Sequence, residues 1–184
     1  MKHHSIEVIA HKELTETDLG ELRRLFDSEY LEDFGEWDRE QPYGYAPHDA
    51  HVMARIDDRV VGHVGWAHRE ISVGSETVAI AGVGGVLISD EARGQRLEGD
   101  LMELAARSMR DHGGVAFGYL GCREQVVPFY ASCGWTRIVA RERSIGRDGE
   151  PVVDEPGQPI FIRPITASLE LWPEGDIDLR GRAW

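Results

Sequence analysis

The stretch Val86-Leu87-Ile88-Ser89-Asp90-Glu91-Ala92-Arg93-Gly94-Gln95-Arg96-Leu97 decides how the rest of the chain is read. An apolar run ends at Ile88, a polar turn carrying Arg93 and Gly94 follows, and Leu97, Leu101, Leu104, Ala105 and Met109 then recur at helical spacing. The order is strand, turn, helix. The first N–H groups of a helix have no partner inside it and its dipole is positive at that end, so such a turn is a seat for an anion. Gly94 lets an oxygen-rich ligand approach the backbone without meeting a Cβ, and Arg93 and Arg96 add charge suited to a diphosphate. The three-glycine spacing of a dinucleotide fold and the Gly-Lys-Ser/Thr of a Walker loop are both missing.

Outward from that turn, the pattern predicts a helix over 95–112 stopped by Gly113-Gly114, a strand over 115–121, a short helix over 124–132 and strands over 135–141 and 160–165. Residues 148–158, rich in Gly, Pro and acids, read as an exposed excursion. Upstream, 5–10 alternates as a strand, and Thr15 with Asp18 forms a capping pair before the apolar face Leu19, Leu22, Leu25 and Phe26. From Asp27 to Glu40 the periodicity fades into an acidic stretch, and 41–49 reads as loop. Strands over 51–56, 59–73 and 78–88 are joined at Asp57-Asp58 and Gly74-Ser75. The sum is an α/β protein with a mixed sheet flanked by helices, one domain over residues 1–184.

Charge narrows the partners. Twenty Lys and Arg stand against 33 Asp and Glu, a net charge of −13. That surface repels phosphate backbones and anionic lipid and draws cations, so a small cationic molecule is expected and nucleic acid and membrane are not. No apolar run reaches membrane-helix length and the start Met1-Lys2-His3-His4-Ser5 has no apolar leader, so the cytosol is the expected compartment. Cys122 and Cys133 have no partner at metal spacing, so neither a zinc site nor a disulfide framework is expected.

Four segments together resemble the GNAT superfamily of N-acetyltransferases, and within it the aminoglycoside 2'-N-acetyltransferases. The turn is similar to the family's Gln/Arg-x-x-Gly-x-Gly/Ala loop, with Glu91, Gly94 and Arg96 at its marked positions; the run Arg93 to Leu97 looks like the aminoglycoside version. Phe129-Tyr130-Ala131-Ser132-Cys133-Gly134-Trp135 resembles the segment whose tyrosine protonates the leaving thiolate. A phenol of pKa about 10 suits a thiolate of pKa about 8.5, because the proton is needed only as charge develops. The last residues, Leu171 to Trp184, resemble a tail whose tryptophan folds back so that its carboxylate meets the drug, and more loosely the tail of nodulation acyltransferases. Glu32 to Asp38 resembles a loop with two substrate-binding aspartates, here Asp33 and Asp38.

The resemblance implies the GNAT acyltransferase fold, with a mostly antiparallel central sheet, and acetyl-CoA as cosubstrate without a metal. It implies cofactor binding by Val86, Leu87, Ile88, Arg93, Gly94, Gln95, Arg96, Leu97 and Tyr130, with Tyr130 as acid and the Val86 N–H as oxyanion donor. Substrate would meet Asp33, Asp38, Gly84, Gly85, Gly121, Asp178 and Trp184. A homodimer is common in the family. One position departs: Gly84 stands where the subfamily carries a glutamate credited as base, which leaves His63, the terminal carboxylate or water to take the proton. His63 reads equally as a hydrogen-bonded sheet residue, and glycines 82, 84 and 85 suggest a bulge. The expected reaction is acetyl transfer to the 2'-amino group of an aminoglycoside or aminocyclitol antibiotic. A polyamine, an aminosugar or a peptide N-terminus is the alternative substrate, and a non-catalytic CoA sensor the alternative role.

Overall fold

The structure, a computed structural model, describes residues 3–184; Met1 and Lys2 of the leader reading lie outside them. Ten strands form one sheet among the described residues: β1 (His4–Ala10), β2 (Ala50–Ile56), β3 (Arg59–Val73), β4 (Glu76–Ile88), β5 (Phe117–Gly121), β6 (Thr136–Ile138), β7 (Glu142–Ile145), β8 (Pro151–Asp154), β9 (Ile160–Pro164) and β10 (Ile177–Arg182). The main path runs β6-β9-β5-β4-β3-β10-β7-β8, with β2 on β3 and β1 on β2. Pairing is antiparallel except at β4–β5 and β10–β7. The sheet is the mixed, mostly antiparallel one expected from the sequence. Asp57 (φ 49) and Asp58 (φ 68) both take the left-handed conformation that a tight hairpin between β2 and β3 requires.

Three helices, α1 (Glu16–Phe34), α2 (Leu97–His112) and α3 (Val127–Ser132), cover the sheet. Thr15 and Asp18 make a reciprocal capping box at the start of α1. Leu19, Leu22, Leu25 and Phe26 pack with Trp37, Met53, Val60 and Leu87 in one core. Leu97, Leu101, Met102, Ala105, Ala106 and Met109 of α2 pack with Val52, Val61, Val64, Trp66 and Val83 in another. Successive side chains of a strand point to opposite faces, which is why β3 and β4 serve both cores.

Several boundaries move. α1 does not end in an acidic loop near Asp27 but continues to Phe34, so Asp33 is helical. Nothing between Asp27 and Phe34 breaks a helix; only the apolar stripe thins, and the stop is Gly35 at φ 81. α2 begins at Leu97 rather than Gln95, because Arg96 is left-handed at φ 63. The strand expected over 135–141 pairs only at Thr136–Ile138. The excursion at 148–158 contains β8, which pairs with the unexpected β7, and the tail contains β10. No helix among the described residues is long and apolar enough to cross a membrane.

The site follows from a parting of strands. Parallel β4 and β5 pair only from Ile80↔Phe117 to Gly82↔Tyr119. Beyond that, Gly65↔Gly84 is followed on β3–β4 by His63↔Leu87, so Gly85 and Val86 together face Val64. This is a β-bulge, with Gly85 at φ 59 supplying the backbone turn.

Candidate active site

A cavity of about 760 Å³ opens where β4 and β5 separate. Val83 to Val86, the end of β5 from Tyr119 to Arg123, Tyr130 of α3, aromatic side chains of α1, the β7–β8 hairpin and Trp184 line it. Residues from six separate stretches of chain therefore meet in one space.

Tyr130 is buried at 7% exposure and packs against Phe129, Trp135 and Phe161. Burial, reinforced by the nearby thiols of Cys122 and Cys133, pushes its pKa above the ordinary phenol value. It therefore enters the cavity as a neutral acid.

The β4 glycines are empty places that other side chains fill. A Cβ on Gly82 would collide with the Trp184 indole, and one on Gly84 with the main-chain carbonyl carbon of Trp184. The tail reaches this point because β10 pairs with β3 and β7, and because Ala46 donates its N–H to the Ala183 carbonyl at 2.8 Å. Arg69 holds the turn back by donating to the carbonyls of Leu179 (3.0 Å) and Arg182 (2.8 Å), with its guanidinium 4.0 Å from the Trp184 ring centroid. Arg182 in turn donates to the carbonyls of Gly44, Gly146 and Arg147, tying the tail to the loop and hairpin beside it.

The remaining space over Gly84 belongs to His48. Its ring lies 2.5 Å from where a Gly65 Cβ would stand, and its Nε2 lies 3.1 Å from the corresponding point on Gly84. That Nε2 is buried without a hydrogen-bond partner. Burial, with His63 and His11 nearby, lowers the His48 pKa to about 3, so the ring is neutral near pH 7.

His48 is joined by His51 and His63, both fully buried. The three rings offer nitrogens within 4.8 Å of one another, a spacing that could hold a metal ion. Two of the rings, however, spend their nitrogens on neighbours. His63 Nδ1 is 2.7 Å from the Gly85 carbonyl oxygen, His63 Nε2 is 2.8 Å from His51 Nδ1, and His51 Nε2 is 2.8 Å from His11 Nδ1. A metal would have to break that chain. Burial lowers the pKa of His63 to about 4, against the pull of its Gly85 hydrogen bond, and burial together with the neighbouring imidazoles lowers that of His51 as well.

Carboxylates line the opposite wall. Glu142 and Asp154 face each other in register across β7–β8, both at the cavity and neither in an ion pair among those of the described residues. Tyr119 donates its hydroxyl to Glu142. Burial raises the Glu142 pKa and Asp154 adds to the rise, while the Tyr119 hydrogen bond lowers it. Like charges directly opposite are unfavourable in a sheet unless a cation joins them.

The anion turn is separate and exposed. Gly94 (φ 77) has nothing within 4 Å of where a Cβ would stand, and Gln95 and Arg96 are also exposed. Arg93 bonds Asp90 at 2.6 Å and approaches Glu29 at 3.9 Å, which leaves Arg96 as the more available charge. The helix start behind it has no side-chain cap, so its N–H groups remain for a ligand.

The cavity thus brings together Tyr130, Val86, Gly84, Gly85, Gly121 and Trp184 of the sequence-predicted residues. Leu87 and Ile88 turn their side chains into the two cores, and Arg93 to Leu97 form the neighbouring turn. Asp33, Asp38 and Asp178 do not line the cavity. Asp33 lies exposed on α1, Asp38 accepts from the Glu40 N–H, and Asp178 accepts from the Arg180 N–H. His48, His51, Glu142 and Asp154 were missed, since each is an isolated residue whose partners lie far away in sequence. His48 in a proline-bracketed loop, just ahead of a strand, was the one faint signal.

Residues 10–138 match the family model described as the acetyltransferase (GNAT) domain. Among solved structures, the chain is similar to the GNAT family N-acetyltransferase YhbS from Escherichia coli, solved in complex with CoA: 16% identity, 96% of this chain and 89% of that one, TM-score 0.64. It is similar to ElaA of Escherichia coli at 17% identity over 88% of this chain and 99% of that one, TM-score 0.61. A GNAT family acetyltransferase from Brucella melitensis, in complex with acetyl-CoA, matches at 14% identity over 95% and 96%, TM-score 0.58.

Proposed function

The chain belongs to the GNAT acetyltransferase family, and from that premise we propose that it transfers the acetyl group of acetyl-CoA to an amine of a small polycationic molecule, the 2'-amino group of an aminoglycoside or aminocyclitol antibiotic. The observation that carries the reading is the single cavity in which the bulge at Gly84–Val86, Tyr130, Trp184 and the Glu142–Asp154 pair meet. The complexes of two structural neighbours with CoA and acetyl-CoA support the cosubstrate. On this reading the diphosphate sits on the turn from Arg93 to Leu97 and the pantetheine runs between the parted strands, along Val86 to Ile88.

The neutral amine attacks the thioester carbon and a C–N bond forms. Negative charge gathers on the carbonyl oxygen, where the Val86 N–H receives it. The C–S bond then breaks and the leaving sulfur takes the Tyr130 proton. The amine proton passes to water in the cavity, since Gly84 offers no side chain to take it and the His48 ring behind it is buried and held neutral. Solvent returns one proton to Tyr130. Glu142 and Asp154 hold a second ammonium of the substrate, the role first expected of Asp33 and Asp38, while Trp184 forms an aromatic wall. Acetylation removes one of the charges by which such drugs bind RNA, which makes resistance the implied role.

A thioester-cleavage assay over a panel of amines tests this. Aminoglycosides with a free 2'-amino group should give kcat/KM at least about 100-fold above monoamines, since two lost charge contacts are worth several kcal/mol. Equal rates for singly charged amines would remove the drug assignment, and no amine-dependent cleavage would remove the enzyme assignment.

A further inference from the structure

The buried histidines next to His48 form a line with a direction. His63 Nδ1 faces the Gly85 carbonyl oxygen at 2.7 Å, and a carbonyl can only accept. His63 therefore carries its proton on Nδ1 and, as a neutral ring, presents a lone pair at Nε2. His51 must then donate from Nδ1 across 2.8 Å, and its own Nε2 must accept from His11 Nδ1 across 2.8 Å. The line ends at the surface, where His11 Nε2 meets Glu40 Oε1 at 3.1 Å. A carboxylate also only accepts, so His11 faces inward to His51 and outward to Glu40 as a donor. The buried rings are neutral, in accord with the dryness around them.

We propose that His11, His51 and His63, with Glu40 holding the outer nitrogen of His11, form a one-way hydrogen-bond relay that positions and polarises the Gly85–Val86 peptide, making the Val86 N–H a fixed and strengthened donor to the thioester oxygen. The inference rests on the acetyl-transfer reading above. The peptide is planar and trans, so fixing the Gly85 carbonyl fixes the Val86 N–H on the opposite side of the same unit. Hydrogen bonds in a chain strengthen one another when all point the same way, and the three that run from His11 inward to the Gly85 carbonyl do. Gly85, in a left-handed conformation at φ 59, has no side chain to hold its peptide, and His63 supplies that hold. Packing alone does not ask for three linked imidazoles, because apolar groups of the same shape would fill the space at similar stability.

Two measurements test the relay. Long-range proton–nitrogen NMR of the wild-type protein near pH 7 should find His63, His51 and His11 each protonated on Nδ1; His63 protonated on Nε2 would overturn the relay. In steady-state kinetics, His63→Leu should lower kcat about tenfold, less than the loss of an oxyanion donor itself, with acetyl-CoA KM within about twofold. His63→Asn, whose amide can donate to the Gly85 carbonyl, should recover most of that loss. Glu40→Gln, on the surface, should lower kcat about twofold to threefold without moving the melting temperature. Should the buried variants fail to fold, Glu40→Gln and the wild-type spectra still decide. Wild-type kcat in Glu40→Gln and in folded His63→Leu would also overturn the proposal. If no amine is acetylated at all, the acetyl-transfer reading fails by that result, and the proposed role of the relay falls with it. A protein that acetylates but shows the wrong tautomers fails the relay alone.

Discussion

Two glycine-bearing stretches at the upper end of β4 behave in opposite ways. At Gly82, Gly84 and Gly85 every missing Cβ is met by a side chain from far along the chain: Trp184, His48 or His63. At Gly94 the missing Cβ meets nothing within 4 Å. Both stretches read as close-approach glycines in sequence. In the first, the approach is made by the protein itself and shapes the cavity wall at Gly84 and Gly85. In the second, the space faces solvent and stays free for a ligand. A glycine thus marks where a Cβ is excluded, and only the structure says whether the excluding body is protein or ligand.

Placing at Gly84 the glutamate of the subfamily that the sequence resembles is the sharpest way to break this contrast. Gly84→Glu should abolish rather than improve catalysis, because the new side chain displaces both His48 and the Trp184 main chain. We expect kcat to fall about 100-fold or more and stability to drop by about 1–3 kcal/mol, the usual cost of overpacking. A rise in kcat would mean that the space over Gly84 is not filled as described. Gly94→Glu should do something different: acetyl-CoA binding, read by calorimetry, should weaken about tenfold, since a carboxylate opposes the diphosphate at the helix start. Gly94→Ala is its control, costing about 1 kcal/mol of stability for the left-handed backbone while leaving binding nearly unchanged. Equal binding by the glutamate variant would dismiss the turn as the anion seat.

A smaller effect separates the dry side of the comparison from the wet one. A histidine in the unfolded chain titrates near 6.5, whereas burial holds His63 at about 4 and His48 at about 3 in the folded protein. Between those values the unfolded state binds more protons, so their contribution to stability is complete above about pH 6.5 and falls as pH drops toward 4. Glu142, whose pKa burial raises, acts in the opposite sense and blunts the slope. The melting temperature should fall by several degrees between pH 7 and pH 5; a flat profile would contradict the burial of these rings as neutral bases.

Elements with a local cause were legible in sequence. The capping box at Thr15 and Asp18, the Asp57-Asp58 hairpin and the Gly113 stop all depend on residues a few positions apart. The short strands β7, β8 and β10 were not, because each exists only through pairing with a distant strand. The site divided the same way. Tyr130, Val86 and Gly94 sit inside local motifs, whereas Glu142 and Asp154 take their meaning from a cross-strand pairing that no linear pattern announces. The acidic run ending in Asp38 drew attention as a substrate loop, yet its buried member is Trp37, which stacks on Phe26 in the core at 5.4 Å between ring centroids. Charge density along a sequence tracks solvation more readily than it tracks a site.

Tyr130, the proposed acid, is placed by packing and kept protonated by burial. Steady-state kinetics of Tyr130→Phe, with acetyl-CoA affinity measured in parallel, therefore tests acetyl transfer in this cavity most directly. The predicted result is a kcat lower by about 100-fold with acetyl-CoA binding within about twofold, because the hydroxyl acts only as the thiolate leaves. A parental kcat for amine-dependent thioester cleavage in that variant would contradict it.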